Sequence, residues 1–145
     1  MTNAELEAAK NQAEEWRTKY MRVLADYQNL EKRSSERIND VRTFAAEVIL
    51  SQLLPVLDTF TKVKEHVNDA GLDLAYKELV AVITTQGVER MEVVGKQFDP
   101  KEMDCIEVVQ GETDTVITEV LPGYRFRGKV LRVAVVKVGK SELTN

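Results

Sequence analysis

Between residue 4 and about residue 54 the chain contains neither proline nor glycine. A stretch of that length without helix breakers reads as one helix. Apolar or small residues step along it by threes and fours: Leu6, Ala9, Ala13, Trp16, Tyr20, Val23, Tyr27 and Leu30. That is a heptad seam. Beyond it the strict register meets Ser34 and Arg37, which are poor seam residues. Two successive steps of four instead reach Ser34 and Ile38, then Val41, Ala45 and Val48. The extra residue is a stutter, which locally unwinds a left-handed supercoil. At a rise of about 1.5 Å per residue the helix is on the order of 75 Å long. It cannot bury its stripe against its own small chain, so the seam calls for a second copy or a partner. A parallel homodimer is expected. Charges of mixed sign cover the other faces (Glu14, Glu15, Arg17, Lys19, Arg22, Asp26, Glu31) and read as a solvated surface. The sharper alternative is that basic positions near Lys32, Arg33 and Arg42 dock an acidic partner.

Pro55, within Leu53-Leu54-Pro55-Val56-Leu57-Asp58, is expected to end or kink this helix and to open the next. Val56, Leu57, Phe60, Val63 and Val67 then share one helical face. Asn68 to Gly71 reads as a turn, Leu72 to Gln86 as a second short helix, and Gly87 as its stop. Two short helices per chain are too few for a core, but two chains supply four and make a bundle. After Gly87 the pattern changes to short β-branched runs at 88–94, 106–109, 116–120 and 129–138, punctuated by glycines 95, 111, 123, 128 and 139. This reads as a small all-β domain with a thin core. The expected class is α+β. The expected organisation is a long coiled-coil helix at 1–54, short helices of a dimer bundle at 55–87, and a β domain at 88–145.

The totals exclude several functions. The 24 acidic and 20 basic residues give a net charge of -4, which lacks the basic face that nucleic-acid binding needs. The single cysteine, Cys105, forms no internal disulfide and builds no cysteine zinc site; a reducing, cytoplasmic setting is the default. The start resembles neither a signal peptide nor a transit peptide, and no apolar run of bilayer length is seen. No phosphate loop or nucleophile elbow is present. The one histidine, His66, falls on a helix without the orienting partners catalysis requires. Cys105, beside Ile106, reads as a buried structural thiol. No catalytic residue, metal site or cofactor is expected, and the chain reads as a binding protein rather than an enzyme.

Three stretches resemble the GrpE family. Leu24-Ala25-Asp26-Tyr27-Gln28-Asn29-Leu30-Glu31-Lys32-Arg33 is similar to its A-[DE]-[FYM]-x-N-x-x-[KR]-R run, and Leu53-Leu54-Pro55-Val56-Leu57-Asp58 to its L-L-P-V-[LIY]-D. Phe98-Asp99-Pro100 and the run from Gly123 to Val138 resemble its C-terminal signature. Departures are Met103 and Cys105 where the family usually has His and Ala, Thr59 for the common Asn, and Lys129 where Arg is frequent. The resemblance implies a dimeric nucleotide exchange factor whose β-wing wedges open the ATPase domain of a DnaK-type chaperone so that ADP leaves. It implies wing contacts at Lys129 and Val138, with Val120 and Pro122 nearby, and helix contacts at Arg33 and Phe44. The same apolar residues can instead be packing, and Arg132 can be structural. Two rivals are a coiled-coil adaptor capped by the β domain and an ATP-independent holdase.

Overall fold

A computed structural model of the chain describes residues 2–142. It divides into two units, Met1–Ala45 and Ala46–Asn145, and the outermost positions of the expected ranges, residues 1 and 143–145, lie outside the described residues. Helix α1 (Asn3–His66) runs through both units. The other elements are α2 (Ala70–Thr85), β1 (Val88–Arg90), β2 (Met103–Gln110), β3 (Val116–Leu121), β4 (Tyr124–Phe126), β5 (Lys129–Arg132) and β6 (Ala134–Lys140). A long helix, a short helix and a C-terminal β region give the α+β class read from the sequence.

In the first unit α1 starts with a capping box. The Glu5 amide donates to the Thr2 hydroxyl at 3.4 Å, and the Glu5 carboxylate accepts from the Thr2 amide at 2.8 Å. These bonds hold the Glu5 carboxyl below its ordinary pKa. The seam residues Trp16, Tyr20, Val23, Tyr27 and Leu30 are all exposed within the single chain.

In the second unit α1 continues through Pro55 to His66, where the sequence led us to expect a break and a separate helix. A proline inside a helix costs about 3 kcal/mol. Leu50, Leu54 and Leu57 flank it and are buried, and each contributes about 1.5–3 kcal/mol by leaving water; together they outweigh the proline. α1 is also long and apolar enough, over an 18-residue window of mean hydropathy 1.3, to cross a membrane by length and composition. That corrects the expectation that no such stretch exists. A windowed average tolerates charged residues that interrupt a run, and buried core helices raise it in the same way. The turn before α2 is tighter than expected, because Asp69 caps the helix by accepting from the Leu72 amide at 2.9 Å. Gly87 follows the C-cap with φ +100, a left-handed geometry suited to glycine.

The strands form two three-stranded sheets, ordered β1-β4-β5 and β2-β6-β3. The run 129–138, expected as one strand, is two strands, parted at Val133 where the chain leaves the first sheet for the second. β4 was not expected. It pairs with β5 across Arg127 and Gly128, both with positive φ (49 and 82), and Phe126 opposes Lys129. A two-residue loop with two positive φ values is a type I′ hairpin. The first sheet shares a core with the helices, joining Leu50, Leu54, Leu57 and Ile83 to Val88, Tyr124 and Phe126. The second sheet has its own core of Met91, Val93, Met103, Val116, Ala134, Val136 and Val138.

Candidate partner-binding site

The six residues singled out from the sequence fall in different settings. Arg33 and Phe44 lie on α1 in the first unit, and both are exposed. Val120, at the end of β3, is exposed, and Pro122, which follows that strand, is half-buried. Lys129 opens β5 with a side chain 74 % exposed. Val138 is only 6 % exposed and packs in the second core with Val116 and Val136. Its side chain in this chain is a packing group, the second of the two readings the sequence left open for it. Its place in β6 dictates this: Val138 pairs with Val108 on one side and Val116 on the other, inside the central strand of its sheet.

Lys129 is not a free charge. Its Nζ lies 3.2 Å from the Glu47 Oε1 on α1. At this exposure the pair contributes about 0–1 kcal/mol, so it orients the lysine more than it stabilises the fold. A second and less exposed ion pair lies further along α1. Arg132 donates through Nη1 to Asp58 Oδ2 at 2.5 Å and through Nη2 to Asp58 Oδ1 at 2.9 Å. The same guanidinium donates to the Pro122 carbonyl at 3.0 and 2.7 Å and lies over the Tyr124 ring at 5.4 Å. Sequence reading did not pair Asp58 with Arg132. They are 74 residues apart, and one sequence carries no signal for such a pairing. Each does sit in a stretch that resembles the family, Asp58 closing one and Arg132 inside another.

Around these residues the charges are paired. Arg125 binds Glu102 and Arg90 binds Glu119, and each hydrogen bond raises the pKa of its arginine. Burial raises the Tyr124 phenol above its ordinary value, opposed by the positive charge of Arg90 and Arg132. Met103 is buried in the second core, so an apolar side chain suits the place where a histidine is usual in the resemblance. Cys105 is half-buried rather than buried, and its thiol lies 3.3 Å from the Glu107 carbonyl. His66 ends α1 in an exposed position. Among the described residues no group of three or more His, Cys, Asp or Glu side chains is placed to hold a metal. The arrangement offers surfaces and fixed charges, suited to binding another macromolecule.

The GrpE family model matches residues 1–140. A protein named Protein GrpE from Parasynechococcus marenigrum is 39% identical over 133 residues, covering 83% of this chain and 61% of its own length. One from Synechococcus sp. (strain CC9605) is 36% identical, covering 92% of this chain and 65% of its own. One from Geobacillus kaustophilus is 33% identical, covering 94% and 68%. The chain thus spans less than two thirds of the first two relatives' length. A match that takes in α1, α2 and all six strands leaves no ambiguity about kinship: the chain belongs to the GrpE family.

Proposed function

We propose that the chain is a homodimeric nucleotide exchange factor that binds the ATPase domain of a DnaK-type chaperone and opens its cleft to release ADP. The observation that carries the reading is the family match over residues 1–140, which takes in the helices and both sheets together. A coiled-coil adaptor merely capped by the β domain explains the helix but not the C-terminal stretch from Gly123 to Val138. The mechanism is linkage. A protein that binds the open cleft more tightly than the closed one lowers nucleotide affinity by the same factor, without touching the nucleotide. Lys129, Val120 and Pro122 are the exposed or half-buried β-domain groups available for that contact, and Arg33 and Phe44 are the candidates on α1.

Two features support the homodimer. The seam from Leu6 to Leu30 is apolar and exposed in one chain. In the second unit an open groove of about 300 Å³ between α1 and α2 is lined by Ile49, Leu53, Leu79 and Val82, and Ile49 and Val82 stay exposed beside it. A second copy covers such surfaces as a four-helix bundle. We place the protein in the cytoplasm, acting with neither nucleic acid nor membrane and without catalytic chemistry of its own.

The test is release of labelled ADP from a DnaK-type chaperone with and without the protein. The exchange reading predicts faster release that rises with concentration and saturates. Release at the spontaneous rate at saturating protein sinks it, and suppression of aggregation without exchange favours a holdase.

A further inference from the structure

We infer that Arg132 and Asp58 form a clamp that positions the Pro122–Gly123 loop, and with it the end of β3 that carries Val120, for contact with the partner; this rests on the function proposed above. The chain passes tightly between the two sheets at two places, Pro122–Gly123 between β3 and β4, and Val133 between β5 and β6. Arg132 stands at the second crossing and holds the first. Its guanidinium donates to both Asp58 oxygens and, at 3.0 and 2.7 Å, to the Pro122 carbonyl. One planar group thereby ties α1 to both crossings. The side chains of Arg132 and Asp58 are 19 % and 15 % exposed, so water competes poorly for these bonds.

The other side of the loop is equally constrained. A Cβ on Gly123 would lie 2.6 Å from the Ala134 amide nitrogen and 2.9 Å from the Met91 sulfur. The Gly123 carbonyl accepts from the Met91 amide at 2.9 Å. Between a glycine seated against β6 and a carbonyl gripped by arginine, the loop has little freedom. Val120 projects from this fixed base and is exposed. A lysine at position 132 cannot reproduce the clamp, because it offers one point charge rather than a fork that serves a carboxylate and a carbonyl together.

Rigidity here has a functional consequence. A contact loop free to swing follows its partner between closed and open forms and binds both alike. A ligand with equal affinity for two states shifts nothing. A loop clamped to α1 meets only one of the two geometries well. Arg132 is therefore a positioning residue for discrimination between chaperone states.

The experiment compares the full-length chain with Asp58→Asn, Arg132→Lys and the double variant. Dissociation constants are measured for the nucleotide-free and the ADP-bound chaperone, beside residual dipolar couplings for residues 46–66, for residues 120–123 and for the β strands. The clamp predicts that the ratio of the two constants falls at least about fivefold in each single variant, a loss of coupling, while affinity for the ADP-bound form changes less than about twofold. The double variant should be no worse than the poorer single one, as for groups acting as a unit. Couplings at 120–123 should shrink relative to those of α1. A merely structural role would weaken both affinities together, and an unchanged ratio in both single variants overturns the clamp. If the wild-type chain itself fails to discriminate between the two chaperone forms, the proposed exchange function falls. The couplings then decide the clamp alone: averaging in the variants upholds it, and wild-type values refute it.

Discussion

Among the described residues every fully buried side chain lies at Leu50 or beyond, whereas the stretch up to Ala45 buries none. Both regions are rich in apolar residues, and they differ in where those residues find partners. From Ala46 onward, leucines of α1 meet Ile83, Val88, Tyr124 and Phe126 within the same chain. Before Ala45, Trp16, Tyr20, Val23, Tyr27 and Leu30 stand open on a bare helix. A lone helix of this kind draws little stability from its own turns; most helical stability in proteins comes from packing an apolar face. The same periodic signal therefore accompanies an internal core in one region and an uncovered apolar stripe in the other, the stripe that the proposed homodimer buries.

The sharpest way to separate the two regions is to cut one side chain from each. Leu54 is 1 % exposed, and Leu54→Ala should destabilise the second region by about 2–5 kcal/mol, read by thermal denaturation at fixed protein concentration. Trp16→Ala should leave that transition within about 0.5 kcal/mol while weakening self-association. Comparable losses in the second region from both would erase the distinction.

A smaller effect is expected where backbone crowds backbone. A Cβ on Gly139 would strike the Glu112 carbonyl oxygen, so Gly139→Ala should cost about 1–3 kcal/mol through forced shifts, measured by urea denaturation. Wild-type stability would mean that the 111–114 turn moves aside freely. Smaller again is the cap on α2. Asp69→Ala removes the acceptor for the Leu72 amide and should cost about 1 kcal/mol, with earlier amide exchange in the first turn of α2 than elsewhere in it. Protection unchanged along the whole helix would assign its start to packing instead.

The smallest stability effect and a distinct functional one are expected at Lys129. Its pairing with Glu47 is exposed, so Lys129→Ala should alter stability within about 0.5 kcal/mol yet slow stimulated ADP release severalfold. Lys129→Arg should be neutral or better. Stopped-flow ADP release at two salt concentrations, beside a melt of each variant, separates the two quantities. Wild-type exchange in Lys129→Ala would remove this residue from the contact surface.

Much of this was legible in the sequence, for reasons that differ by element. The long helix α1 was readable because its heptad pattern of apolar residues is local and long. Gly87 was readable as a stop because a left-handed residue after a helix is a local demand, met here with φ +100. The continuation through Pro55 was not, since it depends on Leu50, Leu54 and Leu57 meeting strands far along the chain. The break between β5 and β6 hid inside the run 129–138 because the β-branched pattern continues on either side of Val133. Of the candidate contacts, exposure could be guessed for Lys129 but not burial for Val138, whose setting follows from being central in its sheet. The Asp58–Arg132 pair is tertiary throughout.

The proposed homodimer, in which a second copy covers the exposed seam of α1, can be tested with a probe the sequence supplies. Trp16 is the only tryptophan in the chain and lies on the exposed seam. Thermal unfolding followed by its fluorescence should shift to higher temperature with each tenfold rise in protein concentration, as mass action requires of a structure held by association. Sedimentation over the same range should show a dimer. A Trp16 transition that does not move with concentration, in a chain that sediments as a monomer, would contradict the account.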